Sequence, residues 1–406
     1  MRAHFCHAGR SVAESKDLSE NGTPAHVWSV WPTFHRNALQ YRVREVSAYA
    51  PGRVELLGNH TDYNEGLALA AAIDRGIWVK GSAREDRRIA IESIPFARQA
   101  EISLDELRPQ TRERWANYAL GVVQEFLRAG YPIQGFDARV SGDLPVGVGV
   151  SSSAAFEVAT SFFLTRLHNL NISPMAVAKL CQRAENDFVG VRSGLLDQAT
   201  SIFGREHHAV FLDFRNEAID TIPFPENCAL IISDSGEKHS LIASEYNARR
   251  EECAAAAYAL RAQSLRDVTL AQVLAAKSEI DPLLFHRAMH IVGENDRVSR
   301  AVGALRKGDA REIGNLMYES HESSRVHFEN TTPQLDRLIE MARKLSGVLG
   351  SRLTGGGFGG GTVTLAQEDE AARVATEINR QYAQAVGRSA NAIVCKIANG
   401  ALICNA

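Results

Sequence analysis

Arg53, His60 and Asp62 stand together in the string Ala50-Pro-Gly-Arg-Val-Glu-Leu-Leu-Gly-Asn-His-Thr-Asp-Tyr-Asn-Glu-Gly66. A guanidinium that keeps its proton at any working pH is set there beside an imidazole and a carboxylate, a group able to hold a polyhydroxylated substrate. His60 and Asp62 are two apart, so an extended backbone would aim both to one side. The competing explanation is a hydrated hairpin in which Asp62 and Asn64 bond their own backbone. This stretch alone does not decide between them.

Pro145-Val-Gly-Val-Gly-Val-Ser-Ser-Ser-Ala-Ala155 follows a strand-like segment at 136–141 and opens an apolar helical stretch with Phe156, Ala159, Phe163 and Leu167. Gly147 and Gly149 allow the backbone to approach a ligand, and a helix N-terminus offers unpaired N–H groups to anions. Ser151, Ser152 and Ser153 add hydroxyls for phosphate oxygens or a magnesium ion. One helix cap needs one hydroxyl, so three serines point to an anion cradle. It is not a Walker A loop, since no G-x-x-x-x-G-K-[ST] occurs, nor a protein-kinase H-R-D loop. A third motif, Arg352-Leu-Thr-Gly-Gly-Gly-Phe-Gly-Gly-Gly-Thr-Val363, contains G-x-G-x-x-G only because glycine is dense there. It leads into the β-type segment 362–366 rather than a helix, which excludes a dinucleotide fingerprint. Backbone brought against another segment or a ligand is the expected use.

In this order the three motifs resemble those of the GHMP small-molecule kinases, and the first resembles the galactokinase branch, whose pattern reads close to P-G-R-V-N-L-I-G-E-H-T-D-Y-N-x-G. Trp115-Ala-Asn-Tyr118 with Gly121 is similar to the family's W-x-N-Y-x-x-G helix beside the nucleotide. Gly194-Leu-Leu-Asp-Gln198 is similar to its G-I-M-D-Q segment, and His239-Ser-Leu through Arg249-Arg250 to its H-S-L-x-x-S-E-Y-x-x-R-R helix. The resemblance spans roughly residues 45–365. It implies ATP- and Mg²⁺-dependent phosphorylation of a monosaccharide at its anomeric hydroxyl, galactose first. Kinases for arabinose, fucose, galacturonate or N-acetylgalactosamine are the alternatives, with a non-catalytic sugar and ATP sensor behind them. Such sensors lack residues of the serine loop that are present here.

Phosphoryl transfer to a hydroxyl needs an aligned nucleophile, a proton acceptor and charge neutralisation around the moving phosphate. Asp197, beside Gly194 in an apolar turn, is the candidate base and matches the family's catalytic aspartate; without the resemblance it would read as a helix cap. Arg53 would keep Asp197 ionised and offset charge at the phosphate. The resemblance implies Glu185 with Ser152 or Ser153 as Mg²⁺ ligands, few protein oxygens being what magnesium prefers. It also implies Trp115, Gly147, Gly149 and the three serines at the nucleotide, and Asn59, His60, Asp62, Gly194 and Tyr246 at the sugar. The chain departs from the family at two positions, with Glu55 and Asn59 where Asn and Glu are usual, so the residue beside His60 is neutral. Either Asn59 still bonds the same hydroxyl and galactose stays the one good substrate, since His60, Asp62 and Tyr246 are retained, or discrimination at the sugar's far end is looser.

Other histidines invite less. His286-Arg-Ala-Met-His290 has the i, i+4 spacing of a metal pair but lacks the zincin glutamate. The adjacent His207 and His208 point in opposite directions on a strand.

These residues need a scaffold. At 406 residues the chain is long enough for two cores. With 45% hydrophobic and 23% charged residues it has ordinary globular composition, and a net charge of −3 gives no case for nucleic acid. The six cysteines, Cys6, Cys181, Cys228, Cys253, Cys395 and Cys404, form no C-x-x-C pair and read as reduced thiols. No apolar run is long enough to span a membrane, so a cytoplasmic monomer is expected. Strand-type segments fall at 45–57, 67–83, 88–93, 136–141, 208–214, 229–233 and 391–397. Helical ones fall near 114–129, 152–167, from Ser173-Pro174, 240–262, from Thr332-Pro333, and 370–385. Without a regular βαβ alternation this is α+β. The resemblance implies two domains, 28–215 and 216–406, with the site in the cleft between them, behind a mobile extension over residues 1–27.

Overall fold

A computed structural model describes residues 45–237 and 242–405. The extension expected over 1–27 and the His239-Ser240 start of the family-like helix lie outside the described residues. Two sheets organise the rest. The first contains β1 (Val46–Leu57), β2 (Leu67–Ala83), β3 (Arg88–Ser93), β4 (Arg98–Ser103), β5 (Phe136–Gly142), β6 (His208–Asp213) and β7 (Ala218–Pro223). The second contains β8 (Cys228–Asp234), β9 (Val348–Thr354), β10 (Gly361–Gln367) and β11 (Ile393–Cys395), and the last strand, β12 (Leu402–Asn405), returns to pair with β1 of the first. Thus β7 and β12 lie beyond the residue-216 boundary expected from the sequence yet belong to the first sheet. Among the described residues only β3 and β5 pair in parallel; the other ladders are antiparallel.

Helices α1 (Asn117–Arg128), α2 (Ser152–Leu167), α3 (Pro174–Arg183) and α4 (Leu196–Phe203) cover one face of the first sheet. Later in the chain come α5 (Ile242–Ala259), α6 (Leu270–Ala275), α7 (Pro282–Arg306), α8 (Ala310–Ser323), α9 (Pro333–Arg343) and α10 (Glu368–Val386). The alternation of side chains along a strand sorts the cores. On β2, Ala68 and Ala70 face α1–α4 with Phe126, Phe136 and Phe163, whereas Leu67, Leu69 and Ala71 face the opposite core. That second core also takes Leu230 and Ile232 of β8, so the two sheets share it; Ala229 and Ile231 point away, to α9 and α10.

Two features of this scaffold aim residues into the cleft. The β1–β2 register slips between Pro51 and Arg53 and again between Glu55 and Leu57, and such bulges re-aim side chains; Arg53 and Glu55 sit there. The helix Ser152–Leu167 starts after Gly147, Gly149 and Ser151, all at positive φ (80°, 79° and 55°). Helices α4, α6, α7 and α8 and strands β4, β7, β9 and β12 were not legible in the sequence pattern. For α7 the reason is physical: buried Arg287, His290 and Glu294 interrupt the apolar pattern of its inner face.

The aromatic contact between Phe136 of β5 and Phe163 of α2, centroids 5.5 Å apart, ties sheet to helix, and Phe163 is fully buried. Phe163→Ala should therefore lower unfolding stability by about 3–5 kcal/mol in denaturant titration; a loss below about 1 kcal/mol would show that the site collapses without cost.

Candidate active site

Arg53 leaves the bulged strand β1 almost completely buried. Its Nε and Nη2 donate to Asp197 Oδ1 at 2.7 and 2.6 Å, and its Nη1 donates to the carbonyl of Gly149 at 2.6 Å. Asp197 lies in the first turn of α4 rather than in a loop, and its Oδ2 accepts from the Ser151 hydroxyl at 2.5 Å. Ser151 stands at the N-cap position of α2 but makes no side-chain cap, its hydroxyl being spent on Asp197. Without that cap the first-turn N–H groups of α2 are open to an anion. Gly149 is required by geometry: a Cβ there would collide with the Thr354 carbonyl oxygen.

These groups border a cavity of about 430 Å³ whose walls include Arg53, Glu55, Asn59, His60, Asp62, Gly147, Gly149, Ser151, Ser152, Ser153, Glu185, Gly194, Asp197, Tyr246, Gly355 and Gly356. A second, more apolar slot of about 370 Å³ shares Tyr118, Gly147, Ser152 and Ser153 with it and is walled by Phe96, Trp115, Leu144, Val146 and Phe156. Trp115 stacks on Phe156, centroids 6.3 Å apart, and its Nε1 donates to Glu113 at 2.6 Å. A flat apolar slot running into an uncapped helix N-terminus suits a base carrying a phosphate chain. Phe96, Val146 and Phe156 were not read as site residues in the sequence, where lone apolar residues carry no signal.

His60 and Asp62 both reach the cavity, but from a turn and not from extended backbone: His60 has φ 59° and Asp62 opens a 3₁₀ turn. His60 Nε2 donates to the Gly356 carbonyl at 2.9 Å, so Nδ1 accepts from the Tyr63 hydroxyl at 2.7 Å. Burial lowers its pKa to about 4, keeping it neutral. Asp62 accepts from the Tyr246 hydroxyl at 3.0 Å, and a Cβ at Gly194 would collide with its carboxylate. Burial raises the Asp62 pKa to about 6 against the opposing hydrogen bonds of the Tyr63 amide and Tyr246.

Asn59 is also in the wall, yet its amide is engaged by the protein. Nδ2 donates to Glu55 Oε1 at 3.0 Å and to the Gly355 carbonyl at 2.8 Å, and Oδ1 accepts from Asn330 at 2.8 Å. Glu55 in turn accepts from Arg352 at 2.9 Å. Glu185 sits in a π-turn that follows α3, is buried, and accepts from Ser193 at 2.5 Å and Gln198 at 3.0 Å. Burial pushes its carboxyl up. A buried carboxylate beside two serine hydroxyls is an oxygen donor set that fits magnesium.

Comparisons with known proteins agree on one family. The chain matches the models for the GHMP kinases N terminal domain over residues 117–205, the GHMP kinases C terminal domain over 301–384 and the galactokinase galactose-binding signature over 34–83. It is 40% identical over 356 residues to a galactokinase of Roseiflexus sp. (strain RS-1), covering 86% of this chain and 91% of that one. It is 39% identical over 366 residues to a galactokinase of Pasteurella multocida (strain Pm70), covering 88% and 95%. Among solved structures, Lactococcus lactis galactokinase complexed with galactose superposes with a TM-score of 0.84 at 33% identity, over 88% of this chain and 95% of that one.

The Tyr246–Asp62 contact makes a direct prediction. Tyr246→Phe removes a donor that favours the ionised carboxylate while burial remains, so the Asp62 midpoint should rise above its value of about 6. An NMR titration of the Asp62 carboxyl carbon reads this, and an unmoved midpoint would mean that Tyr246 does not donate there.

Proposed function

The chain belongs to the galactokinase family of GHMP kinases, and on that premise we propose that it phosphorylates galactose at the anomeric hydroxyl with ATP. The observation that carries this is Asp197, held by Arg53 and Ser151 at the mouth of an uncapped helix and facing the cavity. The sugar takes the end lined by Asp62, Gly194 and Tyr246, with His60 as a fixed neutral wall. The base of ATP takes the slot of Trp115, Phe96 and Phe156, and its phosphates run to the amides around Gly147, Gly149 and Ser151–Ser153.

In the reaction, the proton of the anomeric hydroxyl passes to Asp197 as its oxygen bonds to the γ-phosphorus. The bond from that phosphorus to the bridging oxygen breaks, and ADP leaves. Arg53 orients the carboxylate for that proton through its two hydrogen bonds and places positive charge beside the transferring group. Glu185, Ser152 and Ser153 would hold Mg²⁺, which when bound supplies charge neutralisation on the phosphates. Asn59 serves the sugar end through Glu55, whose carboxylate it orients, its own amide being occupied.

A coupled ADP-release assay with galactose, fucose, arabinose and galacturonate tests the reading. Galactose should give the highest kcat/KM; no ADP release with any sugar would leave a binding protein instead. Asp197→Asn should lower kcat by roughly 10²–10⁴ while calorimetry still finds both substrates bound, and near-parental turnover would remove Asp197 from the proton transfer. Gly149→Val, strained at positive φ and clashing with Thr354, should raise KM for ATP well above any change for galactose. The reverse pattern would mean that the two sites are exchanged.

A further inference from the structure

The turn that carries His60 and Asp62 begins where β1 has ended, at Gly58 and Asn59, and its backbone is held from behind by α7. Glu294 Oε2 accepts from the N–H groups of both Gly58 (2.8 Å) and Asn59 (3.0 Å). One helical turn earlier, His290 Nε2 donates to the Asn59 carbonyl at 3.2 Å while its Nδ1 accepts from the Ser323 hydroxyl at 2.9 Å. Asn295 Oδ1 accepts from the N–H of Leu67 at 2.8 Å, closing the far end of the same loop. Glu294 is fully buried, and its other oxygen takes the Arg297 Nε at 2.6 Å. Residues four apart on a helix share a face, so His290 and Glu294 form one clamp.

Neither side chain lines the cavity, and neither belongs to the chemistry proposed above. A buried carboxylate and a buried imidazole are costly in a helix that could pack with apolar residues. Here their partners are backbone groups of the substrate turn, which lacks a ladder partner at these two residues. We propose that His290 and Glu294 are positioning residues for the sugar: through the backbone of Gly58 and Asn59 they set the placement of His60 and Asp62, and with it the affinity for the sugar. This rests on the reading that the cavity end at Asp62 takes the sugar. The i, i+4 histidine motif, which spacing alone offers to a metal, thus has half of its pair committed to a loop 231 residues away.

Loss of one such partner leaves a buried donor or acceptor unpaired, a cost of roughly 1–3 kcal/mol, which is about 5- to 150-fold in affinity. Glu294→Leu and His290→Leu should therefore raise KM for galactose by about 10- to 100-fold and leave kcat and KM for ATP within about threefold. His290→Gln, whose amide can donate to Asn59 and accept from Ser323, should return KM to near the parental value. Equal rises in both KM values, or no change in either, would overturn the proposal. Amide hydrogen exchange on the full chain provides a readout independent of activity: Gly58 and Asn59 should lose protection in His290→Leu and regain it in His290→Gln. Unchanged protection would also overturn the clamp. If the parent turns over no sugar, the functional reading fails, and the exchange comparison still decides whether α7 holds the turn.

Discussion

The ion pair between Arg53 and Asp197 is the constraint on which the rest of the site depends. A guanidinium this deeply buried persists only when its charge is paired and its donors are satisfied. Asp197 takes two of those donors and the carbonyl of Gly149 takes a third. Three elements are thereby tied: the bulged strand β1, the glycine loop before α2, and the first turn of α4. Ser151 completes the closure by giving Asp197 the hydroxyl that would otherwise cap α2. The same bond orients the carboxylate of Asp197 and leaves helix amides open to an anion. Neither could be moved without the other.

The turn that carries His60 and Asp62 is governed by a different set of hydrogen bonds. Asn59 alone engages five protein groups: its N–H goes to Glu294, its carbonyl to His290, and its side chain to Glu55, Gly355 and Asn330. These partners come from β1, α7, the loop before α9 and the glycine run before β10. The glycines of that run are needed because the backbones meet closely, a Cβ at Gly357 colliding with the Asn330 carbonyl. Apart from Glu55, the residues that hold the turn are distant in sequence, and His60 and Asp62 inherit its placement.

Much of the scaffold was legible in the chain, and the limits have physical causes. The helix Ser152–Leu167 was readable because glycine and serine mark its start and an apolar run fills it; Ser173 with Pro174 marks α3 in the same local way, the serine accepting from the Ala176 N–H at 3.3 Å. Arg53, His60 and Asp62 stood out by residue type and Asp197 by its match to the family's aspartate, and the fold brings them to one cavity. What did not show was any role that depends on a partner far along the chain. Ser151 read as a phosphate donor because nothing local announces Asp197, 46 positions on. His290 was weighed only as half of a metal-type histidine pair and Glu294 not at all, and α7 itself was missed because buried Arg287, His290 and Glu294 interrupt its apolar face.

The Glu55 and Asn59 exchange shows how far residue type alone can mislead. Read along the sequence, a neutral residue beside His60 means a missing carboxylate at the sugar's far end. In the fold, the two side chains are directly bonded at 3.0 Å across four positions, and the carboxylate of Glu55 also receives Arg352. Both Glu55 and Asn59 line the same cavity. This pair thus still presents one carboxylate and one amide to the cavity, backed by the buried Arg352 guanidinium, and the local charge balance does not depend on which of the two positions bears the acid. What changes is direction. An acid rooted in the bulge of β1 is aimed by the strand and by Arg352, whereas one rooted at residue 59 would be aimed by the turn that α7 holds. Any difference in sugar choice must therefore come from where the carboxylate oxygens point, and not from the loss of a negative charge.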